Sequence, residues 1–574
     1  MYFKNKKTIS LFFYFLFFLI LSFSGSLFYI IGEKFFGNDY SQYLFRQSTF
    51  LADEFIYYFQ RIDPFLNNLS LGTYEIQINN TFKFNDYSSL LLISLISLFV
   101  SKSILPMMVD IIIPFIFLII SFLMFRVNFN FNRQYSFACS IIFFVFFSYG
   151  ITTLSYSIPL LLDFQLNNFP HIFRQFSPSL SSIFFIGYFV LSTSIIKSEK
   201  IKLINIFIIF LTYFAYGYST LIQITFASLF YFYSLFFLKI NKKFYTKLYF
   251  INFIFFLIWF LISVSQGEWH SKYSLDAKYI FDFEIRKNFF LIFLFLVNLL
   301  TYFLYKKKNT FLYLNIFILS LLIVYNIKFL LGYDLQLYHV DIYYSKPLQW
   351  INIFYIFKEL VSKKLLKFLI IFSIYSSIVF SYAYYKFSKE FYIENKDVLN
   401  DQLKNRNSFI KMKNILKEKI VHTLDIDFIM YGYTITGSYN YVFSIGRNIN
   451  IPPIINLDRF LQLTDFHYIP RTKVNDMIFN IENFYANEVH NSLYNQLFLD
   501  DGNGTGNILK KPFRSLVKDQ EIKNIKSFIN QMKPTEKNFS SSLFLVNKID
   551  MKKFSYKLNF NHKILYEDER YNVS

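Results

Sequence analysis

The run from Ile9 to Ile31, ISLFFYFLFFLILSFSGSLFYII, decides the fold class of this chain. It holds no charged residue, and about 20 apolar residues suffice for a helix to cross ~30 Å of hydrocarbon. Lys4, Lys6 and Lys7 precede it, as they would a secretory signal. The run is too long for the apolar part of such a signal, and no small-x-small site follows it, so it reads as an uncleaved first helix. In lipid the backbone must satisfy its own hydrogen bonds, which makes a helix the expected form.

Outward from this stretch the same signal recurs. Apolar runs lie near 88–101, 104–125, 136–154, 179–197, 201–218, 219–238, 247–265, 288–305, 310–331, 347–361 and 366–386. Together they predict a polytopic α-helical membrane protein with about 11–13 spans. The runs stop near residue 388. Residues 389–574 are rich in Asn, Lys and Asp, with short β-prone stretches (Asp427–Met430, Tyr439–Phe443) and a turn-rich Asp501–Gly506, and they read as a soluble α/β domain. The expected division is therefore a membrane domain over 1–388, with a first long loop over 33–87, and a soluble domain over 389–574. Within the loop, Tyr43–Tyr58 mixes polar and apolar residues at helical spacing and reads as an interfacial helix.

Of 574 residues 54% are hydrophobic, an average that soluble domains with a polar surface rarely reach. The net charge of +20 does not point to nucleic acid, because short basic clusters (Lys197–Lys202, Lys239–Lys247, Lys306–Lys308, Lys358–Lys367) fall between apolar runs as topology signals. By the positive-inside rule these clusters and the N-terminus face the cytoplasm. The longer loops 33–87, 155–178, 266–287 and 332–346 and the C-terminal domain then face the other side. One conflict stays open: if 88–101 and 104–125 both cross, Arg126 and Arg133 fall on the wrong side. The lone Cys139 sits in an apolar run and reads as core. There is no phosphate-binding G-x-x-x-x-G-K-[ST] motif and no H-E-x-x-H.

The chemistry-bearing residues cluster on the outer loops. Asp39, just after the first helix, suits a general base or a divalent-metal ligand, and equally an interfacial helix cap. Asp53 and Glu54 form an adjacent pair, with the solvated face of the interfacial helix as the plainer reading. Arg174 has the planar fork that grips phosphate, close to a helix start, with His171 beside it. His339, Asp341 and Lys346 share one short loop with Tyr343, Tyr344 and Trp350, whose rings suit sugar faces or an interfacial belt. Span centres are nearly free of charge, Asp110 being the main exception.

Asp39-Tyr-Ser-Gln-Tyr43 after the first helix resembles the pattern of the GT-C class of integral membrane glycosyltransferases, over roughly residues 1–388. The chain departs from it in having Tyr40 where a second acid often stands. The resemblance implies inverting sugar transfer from a polyprenyl-phosphate donor to a glycan, lipid or protein acceptor at the bilayer surface. It assigns the base to Asp39, with Asp53 or Glu54 as alternatives. It also implies donor-phosphate contacts from Arg174, His171 and Lys346, substrate contacts from Tyr43, His339, Asp341 and Trp350, and a bacterial inner-membrane location. Metal dependence, for example on magnesium or manganese, differs between members. A transporter or flippase, a polymerase of lipid-linked saccharides, and a non-catalytic scaffold are the competing readings.

Overall fold

The computed structural model describes residues 6–37, 40, 42, 62, 87–101, 104–149, 171–173, 179–215, 217–237, 241–265, 287–304, 309–327, 340–360, 363–425, 428, 432–441, 453–479, 526–527, 529–535, 539, 542–554 and 564–574. They fall into two units, one of membrane-type helices ending at Glu394 and one over Asn395–Ser574. The proposed interfacial helix at 43–58 and the loop at 501–506 lie outside the described residues.

The first unit opens with α1 (Lys6–Ser22), a 3-10 turn (Phe23–Ser26) and α2 (Leu27–Phe36). Then come α3 (Tyr87–Ser97), α4 (Leu105–Leu123), α5 (Arg133–Ser148), α6 (Ser181–Ser198), α7 (Leu203–Tyr213), α8 (Gly217–Phe237) and α9 (Lys242–Ser265). It closes with α10 (Phe289–Leu304), α11 (Asn309–Tyr325), α12 (Lys346–Leu360) and α13 (Lys363–Glu394). Among the described residues six helical stretches are long and apolar enough to cross a membrane: Leu11–Phe36, Leu105–Asn128, Ser181–Ser198, Gly217–Phe236, Lys242–Ile262 and Lys367–Glu394.

Side-chain pairs fix the helix directions. In the first turn of α2, Tyr29 donates to Asp110 Oδ2 at 2.6 Å, early in α4; earlier in the chain, toward the end of α1, Phe18 and Phe122 lie 6.1 Å apart, late in α4. So α4 runs antiparallel to α1–α2. The two backbones nearly touch at Gly25, where a Cβ would stand 2.3 Å from the Asp110 carbonyl oxygen. In turn α5 runs back: Phe137 stacks on Phe18 at 5.4 Å, and Phe147 stacks on Phe117 at 4.8 Å.

The turn after α4 gathers one end of the bundle. Arg126 donates to the Phe131 carbonyl at 2.6 Å, Lys358 to the Phe129 carbonyl at 3.0 Å, and Lys197 to the Asn128 carbonyl. The Asn128 side chain in turn donates to the Val190 carbonyl and to Thr193. Carbonyls past a helix C-terminus are short of donors and carry negative partial charge, so cations settle there. Since these cations sit late in α6 and α12, the helices α4, α6 and α12 all end at this basic end.

That placement bears on the conflict around Arg126 and Arg133. The helix α3 has 11 residues, about 16 Å at 1.5 Å per residue, and falls short of a ~30 Å crossing. Its start is tied to the far end of α7 by Ser88 N–H to the Phe214 carbonyl, 3.1 Å. The apolar run 88–101 does not form one long helix; it breaks into a turn at Leu98–Phe99, and Pro106 at the first turn of α4 sets a fresh helix start.

The second unit carries α14 (Lys396–Leu416), β1 (Ile420–His422), β2 (Tyr439–Asn440), α15 (Pro453–Phe466), α16 (Arg471–Phe479), β3 (Leu543–Asn547), α17 (Lys548–Phe554), β4 (Tyr566–Glu567) and β5 (Tyr571–Val573). The strands form one mixed sheet in the order β2-β1-β3-β5-β4. Strand β1 is parallel to β2 and β3 (Val421 opposite Leu543), and β5 is antiparallel to β3 and β4. Phe409 of α14 packs on Phe428 at 5.3 Å and on Tyr571 at 5.1 Å, so helix and sheet share one apolar core.

Candidate functional site

The end of the bundle opposite the cation-bound turn is built from α2, the start of α4, the starts of α10 and α12, and the ends of α11 and α13. Of the residues singled out in the sequence, Asp39, Tyr43, Asp53, Glu54, Arg174 and His339 lie outside the described residues. His171 lies in a short 3-10 turn, His171–Phe173. Lys346, Asp341 and Trp350 are described.

The residues flanking Asp39 in sequence are anchored. Gly37 ends α2 at φ 56°, a left-handed conformation that suits glycine at a helix C-terminus, and its amide bonds the Glu33 carbonyl. The Tyr40 hydroxyl meets the Tyr392 hydroxyl of α13 at 3.1 Å. Gln42 reaches the first turn of α4, where its Oε1 accepts the Met107 amide at 3.3 Å. One turn further in, Asp110 holds α2 through Tyr29. It is 1% exposed, and a carboxylate in that setting is costly unless bonded. At the same end Phe173 packs on Tyr384 at 4.5 Å, which brings the 3-10 turn beside Arg174 onto α13.

A second group stands where α11 ends and α12 begins. The residues Asp341–Ser345 form a π-turn that runs directly into α12. Asp341 Oδ1 accepts the Tyr325 hydroxyl at 2.9 Å, and Oδ2 lies 3.8 Å from Lys346 Nζ. Asn288 caps the start of α10, its Oδ1 accepting the Leu291 amide at 3.1 Å, and its Nδ2 reaches the Tyr325 hydroxyl and the Ser345 hydroxyl at 3.4 Å each. The group pairs an acceptor, Asp341, with a cationic donor, Lys346, both part exposed. Such a pair can take sugar hydroxyls on one oxygen and an anionic group on the ammonium. The aromatic residues of this segment face inward. Trp350 is 2% exposed with Phe146 at 4.3 Å, and Tyr343 and Tyr344 are also buried. The faces expected to meet a sugar are taken by protein neighbours.

In the second unit a buried carboxylate, Asp425, stands just past the carboxyl end of β1. It accepts the Phe428 amide and Asn547 Nδ2, each at 2.6 Å. Burial raises its pKa, and the bonds from Asn547, Phe428 and Tyr571 lower it only in part. Asn547 closes the neighbouring parallel strand β3, and the crevice beyond the carboxyl ends of parallel strands is where such sheets take ligands. Nearby, Arg459 is buried, 8% exposed. Its guanidinium lies over the Tyr441 ring at 5.3 Å and donates to the Tyr441 carbonyl at 3.3 Å. Neither Asp425 nor Asn547 stands out in the sequence; the signal was an apolar strand, Ile420–His422, followed within three residues by an acid.

Among the described residues no three His, Cys, Asp or Glu side chains gather to hold a metal ion. No family model matches the chain, and no curated protein matches it.

Proposed function

We propose that this chain is a membrane glycosyltransferase of the GT-C kind, taking a sugar from a polyprenyl-phosphate donor and passing it to a glycan, lipid or protein acceptor. The observation that supports this reading most is positional. The anchors on either side of Asp39, the turn beside Arg174 and the Asp341–Lys346 pair all belong to the bundle end opposite the Arg126–Lys197–Lys358 cations. By the positive-inside rule that end would face away from the cytoplasm, the face on which this reading needs its base and its phosphate contacts.

In this reading Asp39 takes the proton of the acceptor hydroxyl or amine as it attacks the anomeric carbon from the side opposite the leaving group. The bond to the lipid phosphate breaks with inversion, and negative charge grows on that phosphate. Arg174 and Lys346 answer the charge; preorganised cations there act mainly on the transition state. Lys346 has to turn part of its charge from Asp341, 3.8 Å away, toward the phosphate. Asp341 meanwhile offers the sugar hydroxyls an acceptor. After Asp39 in sequence, Tyr40 on Tyr392 and Gln42 on Met107 tie the chain to the end of α13 and to the start of α4.

The test is transfer of labelled sugar from a polyprenyl-phosphate donor pool in membranes carrying wild type or Asp39→Asn. Loss of a general base lowers the rate by about 10²–10⁴-fold, and that loss is expected in a variant that inserts at the normal level. Equal transfer by both proteins removes Asp39 from the mechanism and leaves Asp53 and Glu54 to be tried in the same assay.

A further inference from the structure

Between α10 and α12 a ladder of amides and hydroxyls runs inward from the Asp341–Lys346 group. Ser345, Gln349 and Asn352 follow at spacings of four and three and so share one face of the helix. Gln349 Nε2 donates to the Ser345 hydroxyl at 3.0 Å, and Asn298 Nδ2 of α10 donates to Asn352 Oδ1 at 2.6 Å. Asn352 Nδ2 is used within its own helix, on the Leu348 carbonyl at 2.7 Å. Gln349 is 3% exposed, and Asn298 and Asn352 are fully buried. At 1.5 Å per residue Asn298 lies about 14 Å along α10 from its first residue.

Two acceptors in this ladder, Gln349 Oε1 and Asn298 Oδ1, meet no donor among the described residues. A buried acceptor without a donor costs about 1–3 kcal/mol. Asn298 cannot be turned over, because its nitrogen meets the Asn352 oxygen. Turning Gln349 over sets its oxygen on the Ser345 hydroxyl and leaves its nitrogen unmet instead, a need that water also answers. A cation is a poor match, because the carboxamides are neutral and the Lys346 ammonium stands at the mouth.

We infer that α10 and α12 enclose a water-binding seam, which carries water from the Asp341–Lys346 mouth past Gln349 to Asn298. Water supplies the missing donors, and a polar slot offering two to four partners is the kind of site that holds it. The seam gives the bundle a wet path inward from one end, between α10, which exposes apolar residues such as Phe293 and Leu296, and the largely buried α12. This inference does not rest on the glycosyltransferase reading and holds for any function of the chain.

The lone Cys139 is 1% exposed, so a Cys139→Ser background is free of competing thiols. In that background Gln349→Cys, Asn298→Cys, the exposed Lys287→Cys and the buried apolar Ile351→Cys are treated, in intact membranes, with a charged thiol reagent that does not cross lipid. The thiolate is the reacting form and needs water, so Gln349→Cys and Asn298→Cys are expected to react at least about tenfold faster than Ile351→Cys. Both as slow as Ile351→Cys, with Lys287→Cys reacting, overturns the seam. A second measurement covers loss of folding in the cysteine variants. In a dry slot Gln349→Met removes an unmet acceptor and raises the melting temperature of the full-length protein. In a wet one the melting temperature stays level or falls, and a rise overturns the inference.

Discussion

At one end of the bundle Arg126, Lys197 and Lys358 each rest on a backbone carbonyl; at the other, Lys346 faces Asp341, a carboxylate that also accepts a phenol. The carbonyls of Asn128, Phe129 and Phe131 belong to the fold and cannot be displaced by a solute, so their cations act as clasps that gather α4, α6 and α12. The Asp341–Lys346 pair is part exposed, and an incoming anion can compete with Asp341 for the ammonium. The same residue type therefore serves as structure at one end and as an exchangeable contact at the other.

The comparison breaks most clearly if the clasp lysines prove dispensable. A hydrogen bond to a charged group contributes about 1.5–3 kcal/mol, so Lys358→Met and Lys197→Met are each expected to lower the thermal midpoint in detergent, followed by a thiol-reactive dye on Cys139. A part-exposed ion pair contributes about 0–1 kcal/mol, so Lys346→Met is expected to melt close to wild type. Equal losses at the two ends would remove the distinction.

The close approach at Gly25 gives a comparable effect from packing. A Cβ there meets the Asp110 carbonyl oxygen at 2.3 Å, and overpacking costs typically about 1–3 kcal/mol. Gly25→Ala is expected to part α1–α2 from α4 and to lower the same midpoint, and an unchanged midpoint would show that the two helices shift apart freely.

The second unit extends the comparison to carboxylates. Burial raises the Asp425 pKa above the ordinary 3.8, so its contribution to stability is full below 3.8 and falls as pH rises through the folded value. Burial also pushes Asp568 upward, but bonds from Ser408, the Tyr571 and Arg570 amides and Tyr566 hold it below 3.8. Its contribution is full above 3.8 and is lost as pH falls through the folded value. Acidification below pH ~4 is thus expected to free the Arg570 and Tyr571 amides, bonded to Asp568 at 2.7 Å each, before the Phe428 amide on Asp425. Hydrogen exchange read by mass spectrometry checks the order, and the reverse order would sink this assignment. The smallest effect is expected from Tyr325→Phe. It removes one bond of 2.9 Å from the mouth group, and a neutral hydrogen bond is worth about 0.5–1.5 kcal/mol.

Much of the helical unit was legible because apolar runs such as Ile9–Ile31 report burial in lipid directly, and Lys197 and Lys358 mark where runs end. The length of a helix inside an apolar run was less legible. Nothing in Ser88–Ser101 reads as a stop, and the break at Leu98–Phe99 shows only once the start of α4 is seen pinned to Gln42. Residue type also left direction open: Trp350 and Tyr343 read as sugar-facing walls or an interfacial belt, whereas both are buried and Trp350 packs on Phe146. In the second unit Phe428 read as strand. It is helical, because Asp425 captures its amide, a contact that depends on where β1 stops. Nor does the sequence mark Arg459 as buried, because its partner, the Tyr441 ring, lies 18 residues away.

The turn Asn128–Phe131 also sets an order of events in time. Its three cations emerge from the ribosome far apart: Arg126 almost with the turn, Lys197 69 residues after Asn128, and Lys358 229 residues after Phe129. At about 5–20 residues per second the last arrives roughly 10–45 s after the carbonyl it binds. Until then that carbonyl is served by solvent, and α12 cannot lock. The bundle is therefore sealed from its late helices, and a chain arrested before residue 358 is expected to hold α4 and α6 together while leaving the seat of α12 open.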